Sequence, residues 1–459
     1  MLKKFFGSRR FISRVLALAL PIMLQNGITN FVSMLDNIMI GRIGVPEMTG
    51  VAVANQLMFV FNLCIFGAVS GAGIFVAQYY GAGDREGVVH SFRFKLLFCT
   101  AFALAGIFVF VVFGDALIGA YLRGEGAAED AALSLKYAKE YLLIMLIGLV
   151  PYTVAQCYSS TLRECMKATP PMIAGVFAVF VNLVLNYILI FGNFGAPALG
   201  VRGAAIATVI SRFAELGIIL VWIKIKPAIA PFAADALRSL YIPRALVGDI
   251  IRKGMPLMAN EAMWASGIAV LNQCYSLRGL DVVSAVNIQQ TFFNVFSVAF
   301  MSVGVAAGIL IGGALGAGDN SEAMKTAKRL ARISVTISIA VGALYFVLAP
   351  YIAEIYNTTD EIKELSCSLM RISALAMPLD AYAHVSYFTL RSGGKVFITI
   401  LFDSCFVWAV SVPTAYLLSN FTAVPILVLF AVCQGENFIK DVLGYIFVKQ
   451  GSWLKRIVN

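Results

Sequence analysis

Long apolar runs separated by short polar stretches organise this chain. Twelve of them lie near 12–40, 50–80, 93–115, 137–162, 170–192, 201–223, 246–277, 283–313, 329–350, 366–390, 395–418 and 422–447. An α-helix rises about 1.5 Å per residue, so about 20 apolar residues cross a hydrocarbon core about 30 Å thick. Each run meets that length, and the pattern predicts an all-α polytopic membrane protein with twelve transmembrane helices. Barrel strands would show alternation over about ten residues instead.

Composition agrees. Of 459 residues, 60% are hydrophobic and 13% charged, against about 25% charged in a soluble protein. The run after the basic N-terminus is too long for a signal core and holds Pro21, Gln25 and Asn26, so no cleavable signal is expected. The eight cysteines lie mostly inside apolar spans and form no CxxC pair, so they read as core residues rather than metal ligands or disulfides.

The net charge of +10 changes meaning once it is placed on the spans. With the N-terminus inside, 25 Lys and Arg fall on the inner side, among them Lys3, Lys4, Arg9, Arg10 and Arg14, and eight fall outside. Cytoplasmic loops carry such an excess. The charge reports topology and no nucleic-acid partner. Both termini are expected in the cytoplasm, and the chain in the plasma membrane, multi-pass and monomeric in its bilayer.

The chain repeats itself. A shift of 235 carries Gly81-Ala-Gly-Asp84 onto Gly316-Ala-Gly-Asp319, Pro21 onto Pro256, Gly44 onto Gly279 and Gly73 onto Gly308. A shift of 228 carries Thr161-Leu162-Arg163 onto Thr389-Leu390-Arg391 and Lys167 onto Lys395. Six spans per copy give both copies the same orientation, hence two six-helix lobes about a pseudo-two-fold axis along the membrane normal, a transporter architecture with its path between the lobes. The lobes are expected at 1–223 and 246–459, joined by a Pro-rich cytoplasmic linker at 224–245. GAGD reads as a helix stop, since the strand–loop–helix context of a phosphate loop is missing.

Charge inside the runs comprises Asp36, Arg212, Glu215, Glu261, Asp380, Asp403, Glu436, Lys440 and Asp441. Intramembrane charge is costly and marks function by default. Arg212 with Glu215, and Glu436 with Lys440, stand at i,i+3 and i,i+4 and are expected to pair along their helices. Asp36, Glu261 and Asp380 have no such neighbour. Glu261 and Asp380 each lie about 14 residues, about 21 Å, from the inner or outer end of their spans. At that shared depth they fit either a shared proton or a cation held between them, with His384 one turn from Asp380. Asp36, Asn186 and Thr208 share an outer depth in the first half, with Asn182 one turn below. Oxygen ligands of this kind suit Na⁺ or a protonated network, and interhelical hydrogen bonding is the alternative. A lining of Gln56, Asn260, Gln289, Gln290 and Phe293, with Phe59, Phe61, Phe292 and Phe296, suits amphipathic organic cations through apolar and cation–π contact. The alternative is that these rings face lipid.

Leu35-Asp36-Asn37 through Gly41-Arg42-Ile43-Gly44 is similar to the first-helix signature of the multidrug and toxic compound extrusion (MATE) family. Ala54-Asn55-Gln56, Gln289-Gln290, the Gly203–Thr208 stretch and the segment from Pro378-Leu379-Asp380 to Leu390-Arg391 resemble it as well. The resemblance covers nearly the whole chain. It implies an antiporter that expels cationic drugs in exchange for Na⁺ or H⁺, with no cofactor beyond that coupling ion and no structural metal. It places Asp36, Asn182, Asn186 and Thr208 in a first-lobe cation site and Glu261 and Asp380 in a second-lobe acidic pair. Many members have Asp where this chain has Asn186, and the retained Glu261 and Asp380 favour Na⁺. A flippase for lipid-linked saccharides is the alternative in the same architecture, although it calls for basic rather than acidic lumenal groups. An enzyme is disfavoured by the lack of a nucleophile–base pair, and a receptor by the lack of a soluble domain.

The lobes share a scaffold and not a chemistry. Under the same shifts Asp36 falls on Leu271, Glu261 on Asn26, and Asp380 near Tyr152.

Overall fold

A computed structural model describes residues 6–121, 128–356 and 358–458. Lys3, Lys4, Arg123 and the side chain of Asn37 lie outside the described residues. No strand occurs among the described residues, and each of the twelve apolar runs is helical. The helices are α1 Arg9–Gly41, α2 Val45–Ala82, α3 Arg85–Tyr121, α4 Ala128–Ile147, α5 Leu149–Glu164, α6 Thr169–Phe191 and α7 Val201–Ile225. After a short helix α8, Pro231–Ala236, come α9 Arg244–Ser276, α10 Leu280–Gly316, α11 Asn320–Glu354, α12 Asp360–Ser392, α13 Val396–Phe421, α14 Ile426–Gly435 and α15 Asn437–Gln450. Among the described residues eight helices are long and apolar enough to cross a membrane, and α4 with α5, bent by 50°, meets the same measure when taken together. The remaining expected spans are α9, α12 and the α14–α15 pair. Between them they carry Glu261, Asp380, Arg391, Lys440 and Asp441 of the second-half site described below.

Gly148 stands at the α4–α5 bend, where a Cβ would press on the side chain of Arg212 at 3.0 Å. The missing side chain gives that arginine its place in the helix layer.

Two compact units divide the chain. One contains Leu24–Val76 and Arg85–Gly254. In its interior Phe92, fully buried, meets Tyr158 and Phe232 edge-on at ring distances of 4.8 and 4.9 Å. Phe232 belongs to α8, so the Pro-rich linker is docked rather than free. Arg93 fixes it by donating to the carbonyls of Asp235 (2.6 Å), Ala236 (2.9 Å) and Tyr241 (3.0 Å), and Arg85 pairs with the Asp235 carboxylate at 2.6 Å.

The other unit contains Ala77–Asp84, Met255–Asn459 and the residues up to Met23. Its core is built where α10, α11 and α12 meet. Phe296 stacks on the buried Tyr345 at 4.6 Å, among Phe300, Met370 and Met377. The chain's last turn is anchored here. Gln78 donates to the carbonyls of Ser392 (3.0 Å) and Lys455 (3.2 Å) and accepts from the Ile457 amide (2.7 Å), with Trp453 fully buried beside Gly393.

Both GAGD motifs are helix stops, as the sequence implies. Gly83 and Gly318 adopt φ of +74° and +78°. The amides of Asp84 and Asp319 then reach back to the carbonyls of Tyr79 (2.9 Å) and Ala314 (3.0 Å), which satisfies orphan helix-end acceptors. Asp319 also caps α11, accepting from the Glu322 amide at 2.8 Å.

Candidate functional site

The first half gathers Asp36, Asn182, Asn186 and Thr208 from α1, α6 and α7. Asn186, 1% exposed, donates through Nδ2 to Asp36 Oδ1 at 2.7 Å. Asn182 sits between the two: it lies 3.0 Å from Asp36 Oδ2 and 3.2 Å from Thr208 Oγ1. With its amide nitrogen toward Asp36 it gives that carboxylate a second donor and its oxygen accepts from Thr208. The Asn186 oxygen is buried with no hydrogen-bond donor among the described residues. No Lys or Arg among the described residues lies within ion-pair distance of Asp36. The four expected residues are thus one constellation, a carboxylate held by neutral amides.

Arg212 and Glu215, expected to pair, form no ion pair. Arg212 instead lies over the Tyr152 ring at 4.9 Å, because Gly148 opens a slot toward α5 and the arginine follows it. A buried pair that the sequence reading passed over lies in the same unit. Lys95 Nζ meets Glu164 at 2.5 Å and donates also to Ser160 and Thr161. Gly73 leaves the space for Glu164, since a Cβ there would collide with its carboxylate.

The second half gathers a larger set from α9, α12, α13 and α15. Glu261 accepts from the Tyr387 hydroxyl at 2.9 Å and from Arg391 at 3.3 Å, and Arg391 also donates to Tyr387 at 3.0 Å. Glu261, without a basic neighbour along its own helix, thus finds its base on α12. Arg391 stands far along the chain, and at a helix end it reads as a loop charge. Asn260, fully buried, donates to Asp403 at 3.1 Å and accepts from Ser404 at 2.7 Å. Lys440 donates to Asp403 at 2.9 Å. It forms its ion pair with Asp403 and not with Glu436, a further correction to the pairing expected along one helix. Asp403 reaches inward from a wide π-type turn at Leu401–Cys405, a device common at functional sites.

Asp380 accepts from Asn437 at 2.7 Å. Lys440 and Asp441 are both close enough to act on it electrostatically, and Asp441 Oδ1 is buried with no hydrogen-bond donor among the described residues. Glu261 and Asp380 do not bond one another. They are the two ends of a chain of polar groups running through Tyr387, Asn260, Asp403 and Lys440. Four acids (Glu261, Asp380, Asp403, Asp441) face two bases (Arg391, Lys440). Such a set holds its charges by mutual pairing and keeps acceptor capacity in excess.

The expected substrate-lining residues scatter. Gln56 is exposed. Gln289 is buried against Ser373 (2.8 Å), with its carbonyl accepting from Tyr345 (3.1 Å). Phe293 packs at the edge of the Tyr345 core, and Gln290 is half-buried. His384 lies against Gly304, where a Cβ would strike its ring, and 5.0 Å from the Phe388 ring. Asn260 alone of this group joins the ionic chain.

The repeat relates several contacts of the two halves. Arg163 donates to Gln25 at 3.2 Å, and Arg391 to Glu261. The Gln25 side chain packs on Gly175, where a Cβ would collide with it, whereas its counterpart Asn260 bonds Asp403. Gly73 accommodates Glu164 while Gly308 accepts from Ser392 at 3.1 Å. The contacts recur with different chemistry: the second copy places charge at Glu261 and Asp403, and the first places it at Glu164.

An all-α, polytopic membrane protein built from two copies of one six-helix pattern is the class defined by this fold. The MatE family model matches residues 21–188 and again 256–417. The two matches begin 235 residues apart, the offset of the GAGD repeat. The chain belongs to the MatE family, as the motifs around Asp36 and Asp380 imply. It is 26% identical over 449 residues to a probable multidrug resistance protein NorM of Thermotoga maritima, covering 97% of this chain and 93% of that protein. It is 26% identical over 410 residues to multidrug resistance protein MdtK of Edwardsiella ictaluri, covering 88% and 87%. The fold matches a multidrug resistance MATE family transporter of the MOP superfamily in an outward-facing conformation, with a TM-score of 0.87 at 20% identity over 96% of each chain. It also matches a MOP superfamily transporter from Pyrococcus furiosus, described by a binding pocket of reverse polarity, with a TM-score of 0.85 at 18% identity over 98% of each chain.

Proposed function

We propose that this protein is a secondary active multidrug efflux antiporter. It exports small amphipathic organic cations in exchange for Na⁺ or H⁺, by alternating access, from the plasma membrane with both termini in the cytoplasm. The observation that carries the reading is the pair of carboxylate clusters inside the apolar helices of a duplicated scaffold, half-buried to buried and differing in chemistry. The names borne by its relatives support the drug class.

In this reading the coupling ion is a substrate, and the acceptor oxygens of Asp380, Asp441 and Asp36 receive it. Ion and drug bind opposite states of the transporter, so each lowers the other's affinity. The membrane potential adds about 2.3 kcal/mol per charge per 100 mV. No catalytic step is assigned to any residue.

The test is dye transport by the purified protein in proteoliposomes with imposed Na⁺ or H⁺ gradients. Gradient-driven efflux of cationic dyes is expected. Dye movement indifferent to both gradients defeats the antiport reading, and movement of a lipid-linked saccharide without dye efflux replaces it with a flippase.

A further inference from the structure

The second unit has a groove of about 600 Å³ between α11, α12 and α15 that none of the chemistry above uses. Its walls are apolar through Val335, Ile339 and Val448, and Tyr382 and Thr389 contribute from α12. Three bases line it: Lys328, Arg332 and Lys449, all exposed. No acidic residue lines it among the described residues.

The bases are not spread along the groove. Lys328 and Arg332 lie one turn apart in the first half of α11, and Lys449 is the penultimate residue of α15. Val335 and Ile339 continue from Arg332 up the same face of α11, at spacings of three and four residues. One end of the groove is therefore cationic, and the wall beyond it is hydrocarbon-like. Lys449 Nζ lies over the Tyr445 ring at 5.6 Å, an aromatic–cation pair of the kind found at a membrane interface.

A second groove serves as an internal comparison. It lies on the other unit along α7, with a volume of about 530 Å³, and is lined by Phe177, Ile218 and Trp222 with one base, Lys226. Any acyl chain satisfies apolar walls of that kind. Three bases clustered at one end, without an acid, select a chain that carries a negative head.

We propose that the α11–α12–α15 groove is a binding site for an anionic phospholipid, with the acyl chain along Val335 and Ile339 and the phosphate held by Lys328, Arg332 and Lys449. The proposal rests on the membrane class of the protein and not on the antiport reading. The volume lies within the range of about 300–1,000 Å³ usual for small-molecule sites. The lipid would seat against α12, the helix that carries Asp380, Tyr387 and Arg391.

The test is native mass spectrometry of the full-length protein, delipidated in detergent and titrated with phosphatidylglycerol or phosphatidylcholine. The protein is expected to retain phosphatidylglycerol preferentially. Retention should weaken about fivefold for each base removed in Lys328→Gln, Arg332→Gln and Lys449→Gln, while Lys226→Gln leaves it unchanged. Should the triple variant fail to fold, Val335→Trp, which fills the groove and keeps every charge, is expected to abolish the same preference. Equal retention of the two lipids by the unaltered protein overturns the proposal. So does undiminished preference for phosphatidylglycerol in a folded triple variant or in Val335→Trp.

Discussion

Arg391 Nη1 lies 3.3 Å from Glu261 Oε1, with both side chains nearly excluded from solvent. Removing one partner of a buried pair leaves an uncompensated charge at a cost of about 3–5 kcal/mol. Arg391→Ala should therefore lower the melting temperature of the detergent-purified protein sharply. The double change Glu261→Gln with Arg391→Gln should recover much of that loss. Glu261→Gln alone should reduce efflux in proteoliposomes while membrane insertion persists, and full dye efflux by this variant removes Glu261 from the coupling chemistry.

Asp36 depends on neutral donors. Asp36→Asn removes the only charge of the first-half constellation and leaves its packing intact, so expression and thermal stability should stay close to the parent. Dye efflux should fall about tenfold or more, the scale of losing an interaction worth about 1.4 kcal/mol. A variant with parental efflux shows that the first-half cluster is structural.

Lys440 satisfies Asp403 and acts on Asp380. Lys440→Met should destabilise by about 3–5 kcal/mol, read as lost thermal stability. Asp380→Asn keeps the bond to Asn437 within reach and should cost little stability while cutting efflux. If Asp380→Asn transports normally under both gradients, the ion does not use that carboxylate.

The sequence makes the scaffold legible because bilayer thickness and the 3.6-residue period act locally. Twelve runs give twelve helical segments, and the GAGD stops need only a glycine and its neighbours. The Asp36, Asn182, Asn186 and Thr208 group is legible too, since depth along three runs of known length is simple arithmetic. The second cluster is not. Its ion pairs join residues separated by 130 positions for Arg391 with Glu261 and by 37 for Lys440 with Asp403. Spacing along one helix therefore points Lys440 to the wrong partner and does not foresee Arg212 over the Tyr152 ring. One signal did exist: the repeat of Thr161-Leu162-Arg163 at Thr389-Leu390-Arg391 marks Arg391 as part of the scaffold rather than a loop charge.

The buried chain end offers a further check. Gln78 makes three hydrogen bonds to Ser392, Lys455 and Ile457. At about 1 kcal/mol each, Gln78→Leu should cost about 3 kcal/mol. Trp453→Ala should cost about 3–5 kcal/mol through the cavity it leaves. Limited proteolysis should then clip the C-terminal segment faster in either variant, and unchanged cleavage shows that the tail is held by other contacts.

The wide turns at Leu401–Cys405 and Val407–Ser411 carry one consequence for the register of α13. Each residue of an α-helix turns the next side chain by about 100°, so a residue absorbed in a wide turn works as a dial. It sets the bearing of Asp403 toward Asn260 and Lys440 without altering where the helix begins or ends. Shortening that turn by one residue would leave a helix of nearly the same length and hydrophobicity, equally able to cross the bilayer, with its carboxylate aimed at a different neighbour.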